Sequence, residues 1–176
     1  MSAIEIKFLT FRVYRFADTK AFKQLHALHA ARVGRYIAYR VNRSEDVEEL
    51  TSEVFLRSWE YMTAQQVDNI TALFFRIARN LIADYYRKSG RTVPLTPAIE
   101  STLQAPGSLT DDAQVKEEAG ELVRVMKSLK DDHREVLEMR YQDEMTTEEI
   151  AEVLGKTPNA VRVLLHRAKQ ALKAKV

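Results

Sequence analysis

The sequence predicts an all-α protein made of two small helical domains, a three-helix bundle and a four-helix unit carrying a helix-turn-helix, joined by a flexible linker. Three observations carry this reading. Gly and Pro are scarce, five and four in 176 residues, while Ala, Leu, Glu, Lys and Arg abound, which favours helices over the turn-rich strands of a sandwich or barrel. Apolar residues recur at helical spacing over long stretches on both sides of the middle of the chain. Between them, Arg91 to Asp112 gathers Pro94, Pro97, Pro106 and Gly107 among Ser and Thr, with no periodicity. The expected organisation is therefore a leader over residues 1–17, a first domain over 18–90, a linker over 91–111 and a second domain over 112–176.

Taken in order, Ile4 to Phe16 is apolar and basic with some alternation, which suits a short strand or an adherent tail. Asp18 can cap a first long helix on which Phe22, Leu25, Leu28, His29, Val33, Tyr36, Ile37 and Val41 recur, ending near Asn42. Ser44 can cap a second helix, with Glu45 and Asp46 at the positive end of its dipole and Val47, Leu50, Val54, Phe55 and Trp59 on one face, running to about Met62. Asn69 can cap a third, with Ile70, Leu73, Phe74, Ile77, Leu81, Ile82 and Tyr85 inward, stopping around Ser89-Gly90. Beyond the linker, helices are expected over Ala113 to Lys127, Asp131 to Tyr141, Thr147 to Leu154 and Pro158 to about Lys173.

Composition narrows the function. An apolar fraction of 45% and a charged fraction of 30% are those of a folded, water-soluble protein. Without cysteine there is no disulfide, thiol nucleophile or thiolate metal site, and a reducing compartment is compatible. Apolar runs such as Ala72-Leu73-Phe74-Phe75 are too short to span a bilayer and the N-terminus lacks a signal-peptide core, so a cytoplasmic protein with no direct membrane insertion is expected. His26 and His29 share a helical face, but with no Cys and no nearby carboxylate there, histidines without a metal are expected. No nucleophile stands with a base and no Gly-rich loop can cradle a phosphate, so neither catalysis nor a cofactor is expected.

The net charge of +2 hides a segregation by segment. Lys156 to Val176 holds six basic residues (Lys156, Arg162, Arg167, Lys169, Lys173, Lys175) and no acid, whereas Ser44 to Glu53 holds five acids (Glu45, Asp46, Glu48, Glu49, Glu53) and no base. Basic segments suit nucleic acid, and the acidic one suits a basic protein surface. The stretch TTEEIAEVLGKTPNAVRVLLHRA, Thr146 to Ala168, has helix-turn-helix anatomy: a capped short helix, Gly155 for a left-handed turn, and Thr157-Pro158 as cap and first helical residue. With Ala160, Val161, Leu164, Leu165 and Ala168 buried, Asn159, Arg162, Val163, His166, Arg167 and Lys169 remain to face DNA. In the third helix Arg76, Arg79, Asn80, Asp84, Tyr85, Tyr86, Arg87 and Lys88 form a mixture suited to single-stranded DNA, although Phe74, Phe75 and Tyr85, taken alone, read as core.

Three of these segments resemble one family. EDVEELTSEVFLRSW (Glu45 to Trp59) is similar to the region-two helix of sigma-70 family proteins, FRIARNLIADYYRK (Phe75 to Lys88) to the promoter-reading helix after it, and DHREVLEMRY (Asp132 to Tyr141) with the helix-turn-helix to region four. Order and spacing resemble the extracytoplasmic-function (ECF) group, over about Ala21 to Lys173. The resemblance implies a sigma factor, not an enzyme, that binds core RNA polymerase and directs promoter recognition, DNA melting and initiation. It implies core-polymerase docking through Asp46, Glu49, Leu50 and Glu53, and minus-10 DNA binding through Arg76, Arg79, Asn80, Asp84 and Arg87. Minus-35 binding would fall to Thr157, Asn159, Arg162, Val163, His166 and Arg167, and many relatives are restrained by an anti-sigma factor. Ser52 stands where the family commonly has Gln, Glu49 where it has Asp, and the leader exceeds the usual length. A stand-alone helix-turn-helix regulator, or an adaptor that binds only proteins, are the competing readings.

Overall fold

Ala3–Phe16 is a helix, α1, rather than the short strand or adherent tail that the partial alternation of Ile4 to Phe16 suggests. Its start is fixed by a capping box: the Glu5 amide donates to Ser2 Oγ at 3.2 Å and the Ser2 amide to Glu5 Oε2 at 2.6 Å. Leu9 and Val13, four residues apart, are buried with Thr10 between them, and this row seats α1 on the next two helices. The helix ends at Ala17, in the left-handed region at φ 47°, whose amide reaches Val13 O at 2.9 Å. Asp18 then starts α2 (Thr19–Ala38), accepting from the Lys20 and Ala21 amides at 2.9 and 3.0 Å and from the Arg12 guanidinium. Those bonds, the Ala21 amide foremost, hold its carboxyl below the usual carboxylate range.

The computed structural model describes residues 1–88, 124–126 and 128–175. Among these residues the chain is all-α, and it divides into two units, Met1–Val93 and Pro94–Val176. The expected linker over 91–111, and all but Arg124–Met126 of the helix expected over Ala113 to Lys127, lie outside the described residues; Arg124–Met126 are helical.

In the first unit α1 and α2 are followed by α3 (Ser44–Ala64) and α4 (Ile70–Lys88). α2 stops at Ala38, short of Asn42, because the chain tightens there: the Arg40 and Val41 amides both turn back to Ile37 O, which tucks Val41 into the core. Ser44 is the first residue of α3 and not its cap; Arg43 holds that place without a side-chain bond, and the helix runs two residues past Met62. Asn69 caps α4 as expected, accepting from the Ala72 amide at 3.1 Å. Leu25, Tyr36 and Ile37 of α2, Val54, Phe55 and Met62 of α3, and Leu73, Phe74, Phe75 and Ala78 of α4 form the core. The rings of Phe55 and Phe74 lie 5.0 Å apart, with His29 5.1 Å from Phe74. A carbonyl can only accept, so His29 Nδ1 donates to Leu25 O (2.9 Å) and its Nε2 accepts from the Thr71 hydroxyl (3.3 Å); His26 packs on Phe55.

The second unit contains α5 (Asp131–Tyr141), α6 (Thr147–Leu154) and α7 (Pro158–Lys173), with the expected bounds. Val136, Leu137 and Met139 of α5 meet Ile150, Ala151 and Val153 of α6 and Val161, Leu165 and Ala168 of α7 in one core. Ala160, expected inward, is exposed, being one residue and about 100° away from the 161-165-168 row. Within α5, Arg134 is buried beside Glu138, its Nε 3.9 Å from Oε1, and also reaches Asp131 at 2.8 Å. Thr146 and Glu149 form a capping box, Gly155 ends α6 in the left-handed region, and the Thr157 hydroxyl caps α7 by accepting from the Ala160 amide at 3.2 Å. Lys175 donates to Ser128 O at 3.1 Å, tying the end of α7 to the turn before α5.

A Cβ at Gly155 would meet nothing within 4 Å, so Gly155→Ala strains only the backbone, at φ 63°. The expected cost is about 1–2 kcal/mol, read as a lower unfolding midpoint for the second unit with the first unit's transition unchanged.

Candidate nucleic-acid and protein interfaces

The acidic segment forms the first half of α3. Glu45, Glu48 and Glu49 are exposed, and Leu50 and Glu53 are half-buried along the same side, so Glu49, Leu50 and Glu53 share one face with carboxylates around an apolar residue. Glu53 pairs with Arg57 one turn on, at 2.6 Å, and the Ser52 hydroxyl donates to Glu48 O at 3.0 Å. Asp46 is turned elsewhere: only 19% of its side chain is exposed, and its Oδ2 accepts from the Tyr85 hydroxyl of α4 at 2.6 Å, with Arg43 Nε 3.9 Å away. Leu56, which the periodicity did not single out, is exposed one turn beyond Glu53 and prolongs the apolar element of this face.

On α4 Arg76, Asn80, Asp84 and Arg87 follow one another three or four residues apart as one stripe, with Arg79 beside Asn80. Arg76 is half-buried with its guanidinium 5.8 Å from the centre of the Tyr61 ring; Arg79 and Asn80 are exposed; Asp84 and Arg87 pair at 2.6 Å. Phe74 and Phe75 are core, as reading them alone suggested, but the inward tyrosine is Tyr86 and not Tyr85. Tyr86 donates to Arg40 O at 2.6 Å and leaves Tyr85 half-buried, edge-to-face against it at 5.0 Å. The hydrogen bond to Asp46 raises the Tyr85 phenol above its ordinary value, because an ionised phenol would face a carboxylate.

On α7 the buried row leaves Asn159, Arg162, Val163, His166 and Arg167 outward together. Arg162 lies 3.4 Å from Glu148 of α6, and Lys169 Nζ lies 5.4 Å from the centre of the Tyr141 ring. Thr157 is exposed at the helix start with its hydroxyl engaged as cap.

The model of sigma-70 region 2 matches residues 25–92 and that of sigma-70 region 4 matches residues 119–172, together well over half of the chain. The chain belongs to the sigma-70 family. Among curated relatives it is 28% identical over 158 residues to the ECF RNA polymerase sigma factor BldN of Streptomyces coelicolor, covering 88% of this chain and 60% of BldN. It is 25% identical over 153 residues to SigM of Bacillus subtilis (86% of this chain, 92% of SigM), and 28% over 169 residues to the sigma-E factor of Escherichia coli (90% and 88%). The fold resembles that of CnrH, solved with the cytosolic domain of CnrY (TM-score 0.68, 22% identity, 97% of this chain and 96% of that one). It also resembles RpoE of Bartonella quintana, solved with the anti-sigma factor NepR (TM-score 0.63, 21% identity, 89% and 97%). As a sigma factor of the ECF group the chain directs promoter recognition and transcription initiation. No described helix is long and apolar enough to cross a membrane.

Within this sigma factor the Asp46–Tyr85 bond joins the acidic helix α3 to the end of α4, 39 residues away in sequence. Tyr85 is held neutral, so the stabilisation is fully present below the ordinary tyrosine pKa and is lost as pH rises through the elevated one. Asp46→Asn, which removes the charge, should move one phenol back toward its ordinary value in an ultraviolet titration, a change absent when Tyr85→Phe is the background.

Proposed function

We propose that the two units divide a sigma factor's work by charge. α3 docks on core RNA polymerase through Glu49, Leu50 and Glu53 with Asp46 at the edge, α4 meets the minus-10 element through Arg76, Arg79, Asn80, Asp84 and Arg87, and α7 binds the minus-35 duplex. In α7, Arg162, Arg167 and Asn159 supply donors for base edges and phosphates, Val163 and His166 fill the groove surface between them, and Thr157 sets the helix start. The observation that carries this reading is a difference in charge between two exposed faces, one in each unit: α3 presents Glu45, Glu48 and Glu49, whereas the outward row of α7 has cations and no acid. A DNA-binding protein gains nothing from a solvated acidic face that repels its polyanion, but a basic protein partner makes it a steering surface. The chain acts as a regulatory subunit in the cytoplasm and carries out no catalytic step of its own. CnrH and the Bartonella RpoE are each solved with a partner, the latter an anti-sigma factor, and an anti-sigma factor is proposed for this chain as well.

Reversal of Glu49 and Glu53 to Lys should abolish co-elution with core polymerase, while circular dichroism and the affinity for minus-35 duplex stay as in wild type. A folded double variant that still assembles holoenzyme at wild-type affinity and salt dependence would place the docking surface elsewhere.

Arg162→Ala or Arg167→Ala should weaken duplex binding by about 1–3 kcal/mol for a base-edge contact, or lower the salt slope by about one for a phosphate contact. Asn80→Ala should leave duplex binding intact and reduce open-complex formation, followed by permanganate reactivity of unpaired thymines; unchanged reactivity would remove Asn80 from the minus-10 contact.

A further inference from the structure

α1 buries one side of itself and exposes an unusual other. Inward lie Leu9, Thr10 and Val13; outward lie Ile4 (81% exposed), Phe8 (59%), Phe11 (47%) and Phe16 (68%), with Tyr14 on the neighbouring row. A helix that only covers a core turns polar residues to water, and apolar side chains clustered outside mark a binding surface. Here the cluster is aromatic: Ile4 is its single aliphatic residue within the helix, while the aliphatic Leu9 and Val13 are spent on the core. Phe8 and Phe11 stand three residues apart, a separation of about 5–6 Å between Cβ atoms. Phe11 and Phe16 meet edge to face at 6.2 Å.

Cations outnumber acids around the rings. Lys7 and Arg15 are exposed, and the Arg12 guanidinium lies 5.8 Å from the centre of the Phe8 ring while also holding Asp18. Glu5 is the one acid in α1, and it is bent back onto Ser2 in the capping box. Exposed rings interleaved with cations are the requirements of an unpaired nucleic-acid strand, whose bases stack on aromatic faces and whose phosphates meet the cations. Duplex DNA offers no free base faces to such rings. A second copy would bring Lys7, Arg12 and Arg15 toward their equivalents, and a bilayer surface calls for a denser set of cations than three.

We propose that the outward face of α1, centred on Phe8 and Phe11 with Lys7 and Arg15, is a sequence-independent binding site for single-stranded DNA, one the chain uses when promoter DNA is open. It goes beyond the assignments to α3, α4 and α7 and presumes only that this sigma factor meets opened DNA. The probe is a fluorescein-labelled 20-nucleotide oligo-dT, titrated with the full chain by anisotropy. Phe8→Leu with Phe11→Leu keeps apolar area and removes the rings; it should weaken oligo-dT binding about tenfold or more and leave minus-35 duplex binding unchanged. Lys23→Ala, an exposed cation of α2 outside every proposed interface, should bind oligo-dT as wild type does, which separates the α1 face from a general loss of positive charge. Lys7→Glu with Arg15→Glu, both surface changes, should produce a comparable loss with a shallower salt dependence. Wild-type affinity in the Leu variant, an equal loss of oligo-dT binding through Lys23→Ala, or no oligo-dT binding by the wild type would each overturn the proposal. So would co-sedimentation with phosphatidylglycerol vesicles, or self-association, that depends on the α1 face while oligo-dT binding does not.

Discussion

Ile70 to Phe75 are buried without interruption, and the first unit is arranged around that fact. A helix enclosed on every side over its first turn and a half must lie between its neighbours, and α2 and α3 both pack against α4. Phe74 and Phe75 point in different directions, one into Phe55 and His29 and the other into Tyr36. With its first half locked in rotation, the second half of α4 has no freedom in how Arg79 and Asn80 emerge. The aliphatic and aromatic core thus sets the orientation of the polar stripe, and the Tyr86 bond to Arg40 O and the Tyr85 bond to Asp46 fix the far end.

Local signals were legible in the sequence wherever a side chain bonds its own helix start. Asp18, Asn69, Thr146 and Thr157 act as the caps their residue types suggest, and Gly155 takes the left-handed conformation it alone accepts cheaply. Ser44 failed by one position because several polar residues stood together at the start of α3 and Arg43 took the cap without a side-chain bond. α1 was illegible for a different reason. Ile4, Phe8, Phe11 and Phe16 stand outward among Lys7 and Arg15 while Leu9 and Val13 turn inward, so apolar residues fall on both sides and mimic alternation, and the Ser2–Glu5 capping box is the local signal for the helix. Tyr85 and Tyr86 are adjacent and alike; which of them turns inward depends on Arg40 and Asp46, far away in the chain.

The exposed acids of α3 and cations of α7 follow from charge runs that any reader of the sequence can count. What the runs do not disclose is which members are engaged within the fold. Asp46 is held by Tyr85, Glu53 by Arg57 and Arg162 by Glu148, whereas Glu48 and Glu49 are exposed on α3 and Arg167 on α7. Exposed pairs of this kind contribute about 0–1 kcal/mol each, so Glu53 and Arg162 can leave theirs for a partner at little expense. Asp46, less exposed and bonded across two helices, is the more firmly held of the three.

Arg134 and Glu138 impose a restriction of another kind, on which sequences this domain can pass through as it diverges. Both are buried in α5, one turn apart. Loss of either takes from a buried charge one of the groups that compensate it, although Arg134 keeps its bond to Asp131, whereas an apolar pair of similar volume is tolerated or better. Single substitutions at these two positions are thus unfavourable steps, and descendants should tend to carry the two charges together or lack them together. Such linked change would leave a correlated pair of columns among related sequences, produced by the second unit's interior and not by any contact with DNA.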